Sequence, residues 1–334
     1  MRILFAANSG IAVPVLEELF RLAQTSSDYE LPAILTYPDS PQGRSSRPLP
    51  TEIAEAAERL SAEYAVSGKP APPIIKPAQL DSGARELIAA FKPELLVCFA
   101  YGSIFGPKFL SLFPMGGINI HPSLLPRFRG AAPIPAVILA GEKETGISIQ
   151  RLAEEMDTGD ILVQERVALN GHETAAGLSR LMAKKAAELL PGTLAGIASG
   201  TLRGRPQNHP EASYCSLIAK EDGVIDWNKS AAEIYARIRA FDPWPLSWTM
   251  HGNQQLFILR AGNGEAVDAC ITPACPASGA PPGRVLGIDK EQGILVQTGE
   301  GVLAVSELQY RSKKPLHWKD FLNGARNFIG SRLG

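Results

Sequence analysis

Charge of one sign is the first thing this sequence lacks. Its 334 residues carry 33 Lys+Arg against 34 Asp+Glu, a formal net charge of −1. No long-range field therefore gathers nucleic acid or anionic lipid, and any such contact must come from local patches. The balance holds along the chain: 20 basic and 21 acidic residues precede position 207, and 13 of each follow. Neither half reads as a basic domain. Cysteine is also scarce. Cys98, Cys215, Cys270 and Cys275 are scattered, and the one close pair, C-x4-C, has no His or Cys partner at metal-ligand spacing. That pattern predicts reduced thiols and no metal. Long apolar runs are missing as well. The opening Ile3-Leu4-Phe5-Ala6-Ala7 is too short for a signal sequence or a membrane span, and it lacks the Arg/Ser-rich character of a transit peptide. The expectation is a cytoplasmic protein with no membrane partner.

Two nucleotide-binding signatures are absent. A dinucleotide enzyme follows its first strand with G-x-G-x-x-G, so that a pyrophosphate can approach the helix N-terminus. Here the turn reads Ala7-Asn8-Ser9-Gly10-Ile11-Ala12. One glycine cannot form that loop, which argues against NAD or FAD chemistry. No G-x-x-x-x-G-K-[ST] occurs either, which argues against a P-loop NTPase.

What is present is enough apolar material, 45% of residues, for two domains at this length. Up to about residue 200, short apolar runs alternate with helical patterns. Residues 1–7, 32–36, 73–75, 94–100, 117–121, 146–152 and 160–167 read as strands, and 13–23, 51–66, 82–91, 133–140 and 173–199 as helices. This alternation predicts an α/β domain with a mostly parallel sheet covered on both faces, binding its ligand beyond the carboxyl ends of the strands. A polar, turn-rich stretch then reads as a linker over 201–212. From 213 to 334 one helical pattern, 233–240, is followed by short alternating runs at 255–259, 283–286, 293–298 and 301–308, the spacing of a small barrel or sandwich. The Pro/Ala/Gly/Ser-rich 269–282 reads as a loop.

The chemistry concentrates in Gly117-Ile-Asn119-Ile-His121-Pro-Ser123-Leu124-Leu125-Pro126, followed later by Asp157-Thr-Gly159. In an extended chain Asn119 and His121 share a face, so an amide donor and an imidazole arrive together at a strand end. That pair suits carbonyl chemistry. An amide N–H can bond an oxyanion as it forms, the His can polarise the same oxygen or move protons, and a carboxylate beside it can orient the ring. Asp157 is the candidate carboxylate. The same residues also fit a hydrogen-bonded structural His, a capping Asn and an ordinary Asp-Thr-Gly turn. No Ser-His or Cys-His nucleophile pattern is evident.

Asn119-x-His121-Pro-Ser123-Leu-Leu-Pro126 with Asp157-x-Gly159 resembles the signature of the folate-dependent formyltransferase family. Leu124-Leu-Pro-Arg-Phe-Arg-Gly-Ala-Ala-Pro-Ile134, Glu144-Thr-Gly-Ile-Ser-Ile149, Thr36-Tyr-Pro-Asp39-Ser-Pro-Gln-Gly43-Arg44 and Phe241-Asp-Pro-Trp-Pro-Leu-Ser-Trp248 extend the likeness toward its methionyl-tRNA branch. The resemblance implies a Rossmann-like N-terminal domain, an OB-fold-like β-barrel C-terminal domain, and transfer of a formyl group from 10-formyltetrahydrofolate to initiator methionyl-tRNA, with a monomeric enzyme. It implies that Asn119 and His121 stabilise a tetrahedral oxyanion while Asp157 orients and charges His121. It places Ser123, Leu124, Leu125, Pro126, Ala100, Tyr101 and Gly102 at the folate, and Arg44 and Arg47 at the tRNA. Lys313 and Lys314, solvated charge on pattern alone, become further tRNA candidates. Trp244 and Trp248 read as core residues. The aromatic that many family members carry near the active-site mouth is Ile11 here. Two rival readings remain: a related formyltransferase acting on a nucleotide amino sugar, and a catalytically inactive tRNA-binding protein.

Overall fold

The computed structural model describes residues 1–41, 47–65, 68–262, 279–325 and 327–334. Arg44, Cys270, Cys275 and most of the 269–282 loop lie outside the described residues. The chain packs as two compact units. One comprises Met1–Pro133, Thr145–Val167 and Ser179–Cys215, the other Ile134–Glu144, Ala168–Leu178 and Ser216–Gly334.

The first unit is built on a seven-stranded sheet. Its order is Ile161–Ala168, Glu144–Arg151, Gly117–His121, Leu95–Cys98, Arg2–Ala6, Glu30–Leu35 and Ile74–Ile75. The five strands from Gly117–His121 to Ile74–Ile75 pair in parallel, while Glu144–Arg151 runs antiparallel to Gly117–His121. Ile3 to Ala7 are at most 1% exposed, as expected of a strand covered on both faces, which reads as a continuous apolar run rather than an alternation. The flanking helices bury one stripe each. Val13–Thr25 has Pro in its first turn, where no N–H is needed, and hides Val15, Leu16, Leu19, Phe20 and Ala23. Ser82–Ala90 starts at Asp81, whose carboxylate accepts from the Ala84 amide at 2.9 Å. Tyr101, Phe105, Phe109 and Phe113, each four residues apart, run in a file, the first three rings stacked at centroid distances of 5.1 and 5.0 Å and Phe113 tilted against Phe109 at 5.5 Å, and they join the core of the sheet.

The carboxyl ends of the parallel strands are tied together by Asn8. Its Oδ1 accepts from the Tyr37 amide at 2.7 Å and from Thr36 Oγ1 at 3.0 Å, its Nδ2 donates to the Tyr101 carbonyl, and its own amide donates to Ala100 O at 3.2 Å. The turn that excluded a dinucleotide loop is thus a polar clamp.

The second unit is an antiparallel sheet. Ser247–His251, Gln254–Ala261, Val302–Tyr310, Gly293–Gln297 and Val285–Asp289 follow in that order, with Leu316–His317 on Val302–Tyr310. Helix Ala231–Ala240 begins with reciprocal Ser230 and Glu233 caps and packs Ile234, Tyr235 and Ile238 onto Leu256, Ile258, Leu303 and Val305. The alternating runs fall on these strands: Gln254–Ala261 extends beyond its run at both ends, Val285–Asp289 and Val302–Tyr310 reach further at their carboxyl ends, and Gly293–Gln297 stops one residue short. Strand Ser247–His251 and helix Trp318–Gly324 were not anticipated. The first follows a Pro-rich turn, and the second has only seven residues, too few for a helical period to emerge.

The reading of both tryptophans as core residues is corrected: Trp244 is 57% exposed and Trp248 is half-buried. The interior position is taken instead by Trp227, 4% exposed, whose indole N–H donates to Thr249 Oγ1 at 3.0 Å.

Candidate active site

Asn119 and His121 lie on the edge of the parallel run, where the sheet turns antiparallel. Cross-strand register sets Gln150 opposite Asn119 and Ser148 opposite His121, so these pairs share faces of the sheet. Asp157 enters from the turn after Glu144–Arg151, with a left-handed φ of 55°, a conformation that Asp tolerates better than most residues.

The three predicted residues meet. Asp157 Oδ1 accepts from Asn119 Nδ2 at 3.2 Å, and its Oδ2 lies 3.5 Å from His121 Nδ1. The side chains of His121 and Asp157 are 5% and 8% exposed. His121 Nε2 is 2.8 Å from the Phe128 carbonyl. Since a carbonyl only accepts, Nε2 carries the hydrogen of that contact. Asn119 spends one amide hydrogen on Asp157 and keeps the second. The carboxylate itself is saturated: the Gly130 amide donates to Oδ2 at 2.8 Å and Gln150 Nε2 to Oδ1 at 2.8 Å.

The Ser123–Pro126 loop is held by the strands beneath it. Ser123 Oγ donates to Arg127 O at 2.7 Å, and Ser148 Oγ donates to Ser123 O at 2.7 Å and accepts from the Leu125 amide at 3.1 Å. Gln164 donates to Leu125 O at 3.0 Å. Ser123 and Leu125 are buried, while Leu124 and Pro126 keep apolar surface open. On the neighbouring strand end, Ala100 and Gly102 are exposed with φ of 50° and 87°, whereas the Tyr101 ring points into the core. Burial pushes the Tyr101 phenol up, and it pushes the Cys98 thiol up to about 12. Cys215 is shifted upward too, again chiefly by burial. Neither thiol is poised as a thiolate nucleophile.

Several contributors were not picked out from the sequence. Gln150 needs the strand register to be found. Arg129 and Gly130 lie in a stretch noted only for its family likeness. Gln207, 6% exposed, falls in the segment read as linker, where Arg205 bridges Ile161 and brings Gln207 onto the Asp157 turn.

Of the tRNA candidates in this unit, Arg47 is exposed beside the short pairing of Ser40–Pro41 with Pro48–Leu49. Ile11 is half-buried in a single helical turn, Gly10–Ala12. Within the second unit, Lys313 and Lys314 are exposed on the turn after Val302–Tyr310. Lys313 joins Lys220, Arg311, Trp248, Asn253 and Gln255 around a cavity of about 720 Å³. Among the described residues, Lys220, Arg311 and Lys313 have no carboxylate within ion-pair distance. No group of His, Cys, Asp and Glu among the described residues could hold a metal ion, and no helix among them is long and apolar enough to cross a membrane.

A mostly parallel sheet that ends in an amide, an imidazole and a fully hydrogen-bonded carboxylate, with no thiolate nucleophile beside them among the described residues, is an α/β arrangement whose chemistry suits a carbonyl substrate. Comparison with known proteins identifies the family. Residues 1–194 match the formyl transferase family and residues 217–326 its C-terminal domain, so the chain belongs to the formyl transferases. A methionyl-tRNA formyltransferase of Treponema denticola is 46% identical over 329 residues, covering 98% of this chain and 98% of that protein. Among solved structures, an N-formyltransferase from Helicobacter canadensis in complex with folinic acid and dTDP-3-aminofucose shares the fold at TM-score 0.60 and 19% identity, over 91% of this chain and 98% of that one. The methionyl-tRNA formyltransferase of Clostridium thermocellum does so at TM-score 0.52 and 17% identity, over 78% and 92%.

Proposed function

We propose that this enzyme transfers the formyl group of 10-formyltetrahydrofolate to the α-amino group of methionyl initiator tRNA in the cytoplasm. The observation that carries this reading is the convergence of Asn119, His121 and Asp157, in a chain that matches a methionyl-tRNA formyltransferase over nearly its whole length. The α-amine of the methionyl ester attacks the formyl carbon and gives a tetrahedral intermediate. The spare N–H of Asn119 stabilises its oxyanion, with the His121 imidazole beside it. Asp157 holds both. Collapse breaks the bond from carbon to N10 of the folate, and the proton lost by the amine ends on N10. No side-chain nucleophile is required, in keeping with the upward-shifted thiols of the buried Cys98 and the half-buried Cys215.

The folate rests on the Ser123–Pro126 loop and the Ala100–Gly102 strand end. Leu124 and Pro126 offer apolar surface to a planar heterocycle, and the exposed Ala100 and Gly102 let it approach the backbone closely. The division into a catalytic region of residues 1–200, a linker of 201–212 and a tRNA-binding region of 213–334 belongs to this proposal, as do tRNA contacts at Arg44, Arg47, Lys313 and Lys314 and a monomeric enzyme. Trp248 beside Arg311 and Lys313 supports the second contact, since an aromatic face with flanking cations suits unpaired nucleotides.

The test is incubation of the full chain with 10-formyltetrahydrofolate and methionyl initiator tRNA, followed by ester hydrolysis. Stoichiometric N-formylmethionine with release of tetrahydrofolate supports the proposal. Unmodified methionine at high enzyme concentration overturns it.

A further inference from the structure

Arg129 is 1% exposed, yet no carboxylate lies within 4 Å of its guanidinium among the described residues. Its partners are Gln207 Oε1, at 3.1 Å from Nε and 2.7 Å from Nη2, the Tyr214 hydroxyl at 2.9 Å and His209 Nδ1 at 3.4 Å. A buried cation without a counter-charge is costly, so its compensation must be sought further along the network. The hydrogen bonds lead to Asp157. Gln207 Nε2 donates to Gln150 Oε1 at 3.1 Å, and Gln150 Nε2 donates to Asp157 Oδ1 at 2.8 Å.

The direction of this chain is fixed by its ends. A guanidinium only donates and a carboxylate only accepts, so both amides must present oxygen toward Arg129 and nitrogen toward Asp157. Their dipoles run head to tail between a buried positive and a buried negative charge, and each polarises the next. Gln207 also grips the main chain of the turn. Its Nε2 lies 2.9 Å from Asp157 O and 2.7 Å from Gly159 O, so two hydrogens are shared among three acceptors. One side chain thereby holds the backbone of Asp157 and, through Gln150, its carboxylate.

We infer that Gln207 is a positioning residue for formyl transfer: it couples the buried charge of Arg129 to Asp157 and fixes the carboxylate that holds Asn119 and His121. The inference rests on the reading of Asp157 as the partner of His121. Gln207 touches neither substrate, so its loss lowers kcat and leaves KM alone, by the roughly 10²-fold that a misplacement of about 1 Å can cost.

Gln207→Glu separates positioning from support. The new carboxylate gives Arg129 a direct counter-ion, so the fold is retained, but it removes both amide hydrogens from Gln150, Asp157 and Gly159. Steady-state formyl transfer and thermal melting are measured on the full-length wild type, Gln207→Glu, Gln207→Leu, Asp157→Asn and the Gln207→Glu/Asp157→Asn double variant. The expected result for Gln207→Glu is a kcat about 10–100-fold down, KM for both substrates within about twofold, and a melting temperature at or above that of Gln207→Leu. In the Asp157→Asn background the same change adds little, because both act through one carboxylate. Wild-type kcat in Gln207→Glu, with Asp157→Asn inactive, overturns the positioning role alone. Wild-type kcat in Asp157→Asn overturns the reading beneath it.

Discussion

His121 Nδ1 faces Asp157 Oδ2 across 3.5 Å, and both side chains are nearly out of solvent. Register explains the pairing. His121 ends a central strand, and Asp157 stands on the turn that leaves the antiparallel strand next to it. The sheet delivers the imidazole and the turn delivers the carboxylate.

Removal of the Asn119 amide or of the His121 imidazole should cost about 10²–10³ in the single-turnover rate. Asn119→Ala and His121→Ala are expected to show this loss, with circular dichroism and melting close to wild type. Near-wild-type single-turnover rates in either variant would remove that residue from the mechanism.

Gly130 has φ of 109°, and a Cβ there would lie 2.2 Å from the Cys215 carbonyl. Gly130→Ala must therefore displace residues 214–215 from residues 129–130 and withdraw the amide that bonds Asp157. Urea unfolding is expected to show a loss of at least about 2 kcal/mol, with turnover reduced in parallel. A neutral substitution would mean that this close approach is unimportant.

The tRNA contact makes an ionic prediction. If Arg311, Lys313 and Lys314 meet phosphates, each Ala substitution raises the Kd for tRNA and lowers the slope of log Kd against log salt by about 1. Folate affinity is unchanged. Slopes identical to wild type in all three variants would move the contact elsewhere, with Arg44 and Arg47 next in line.

Cys98 sets an alkaline limit. The folded thiol holds its proton up to about 12, while the unfolded chain releases it near the ordinary 9.0. Between those values the unfolded state binds fewer protons, so stability falls as pH rises. Melts from pH 8 to 11 should descend less steeply for Cys98→Ala than for wild type. Parallel curves would assign the alkaline loss to other groups, with Tyr101, also shifted upward by burial, the first to examine.

Much of this was legible in the chain. Strand Gly117–His121 was found with its full boundaries, because an apolar run bounded by glycine and by His-Pro has few other solutions. Residue types and order left Asn119, His121 and Asp157 open to a structural reading as well, and it was the family resemblance that led us to expect them together. What escaped were partners that depend on pairing rather than on local pattern. Gln150 became visible only through its register with Asn119, and Gln207 only once the polar stretch after helix Ala175–Ala198 returned to pair Arg205 with Ile161. Trp244 was misjudged because size suggests burial, whereas the prolines on either side keep it in a turn at the surface.

The most direct test of the central claim is a comparison of kcat/KM for formyl transfer from 10-formyltetrahydrofolate to three acceptors: methionyl initiator tRNA, methionyl elongator tRNA and a nucleotide-linked amino sugar. The account predicts that initiator tRNA is preferred over both, with the sugar inert at millimolar concentration. Efficient formylation of the sugar, with tRNA untouched, would contradict it.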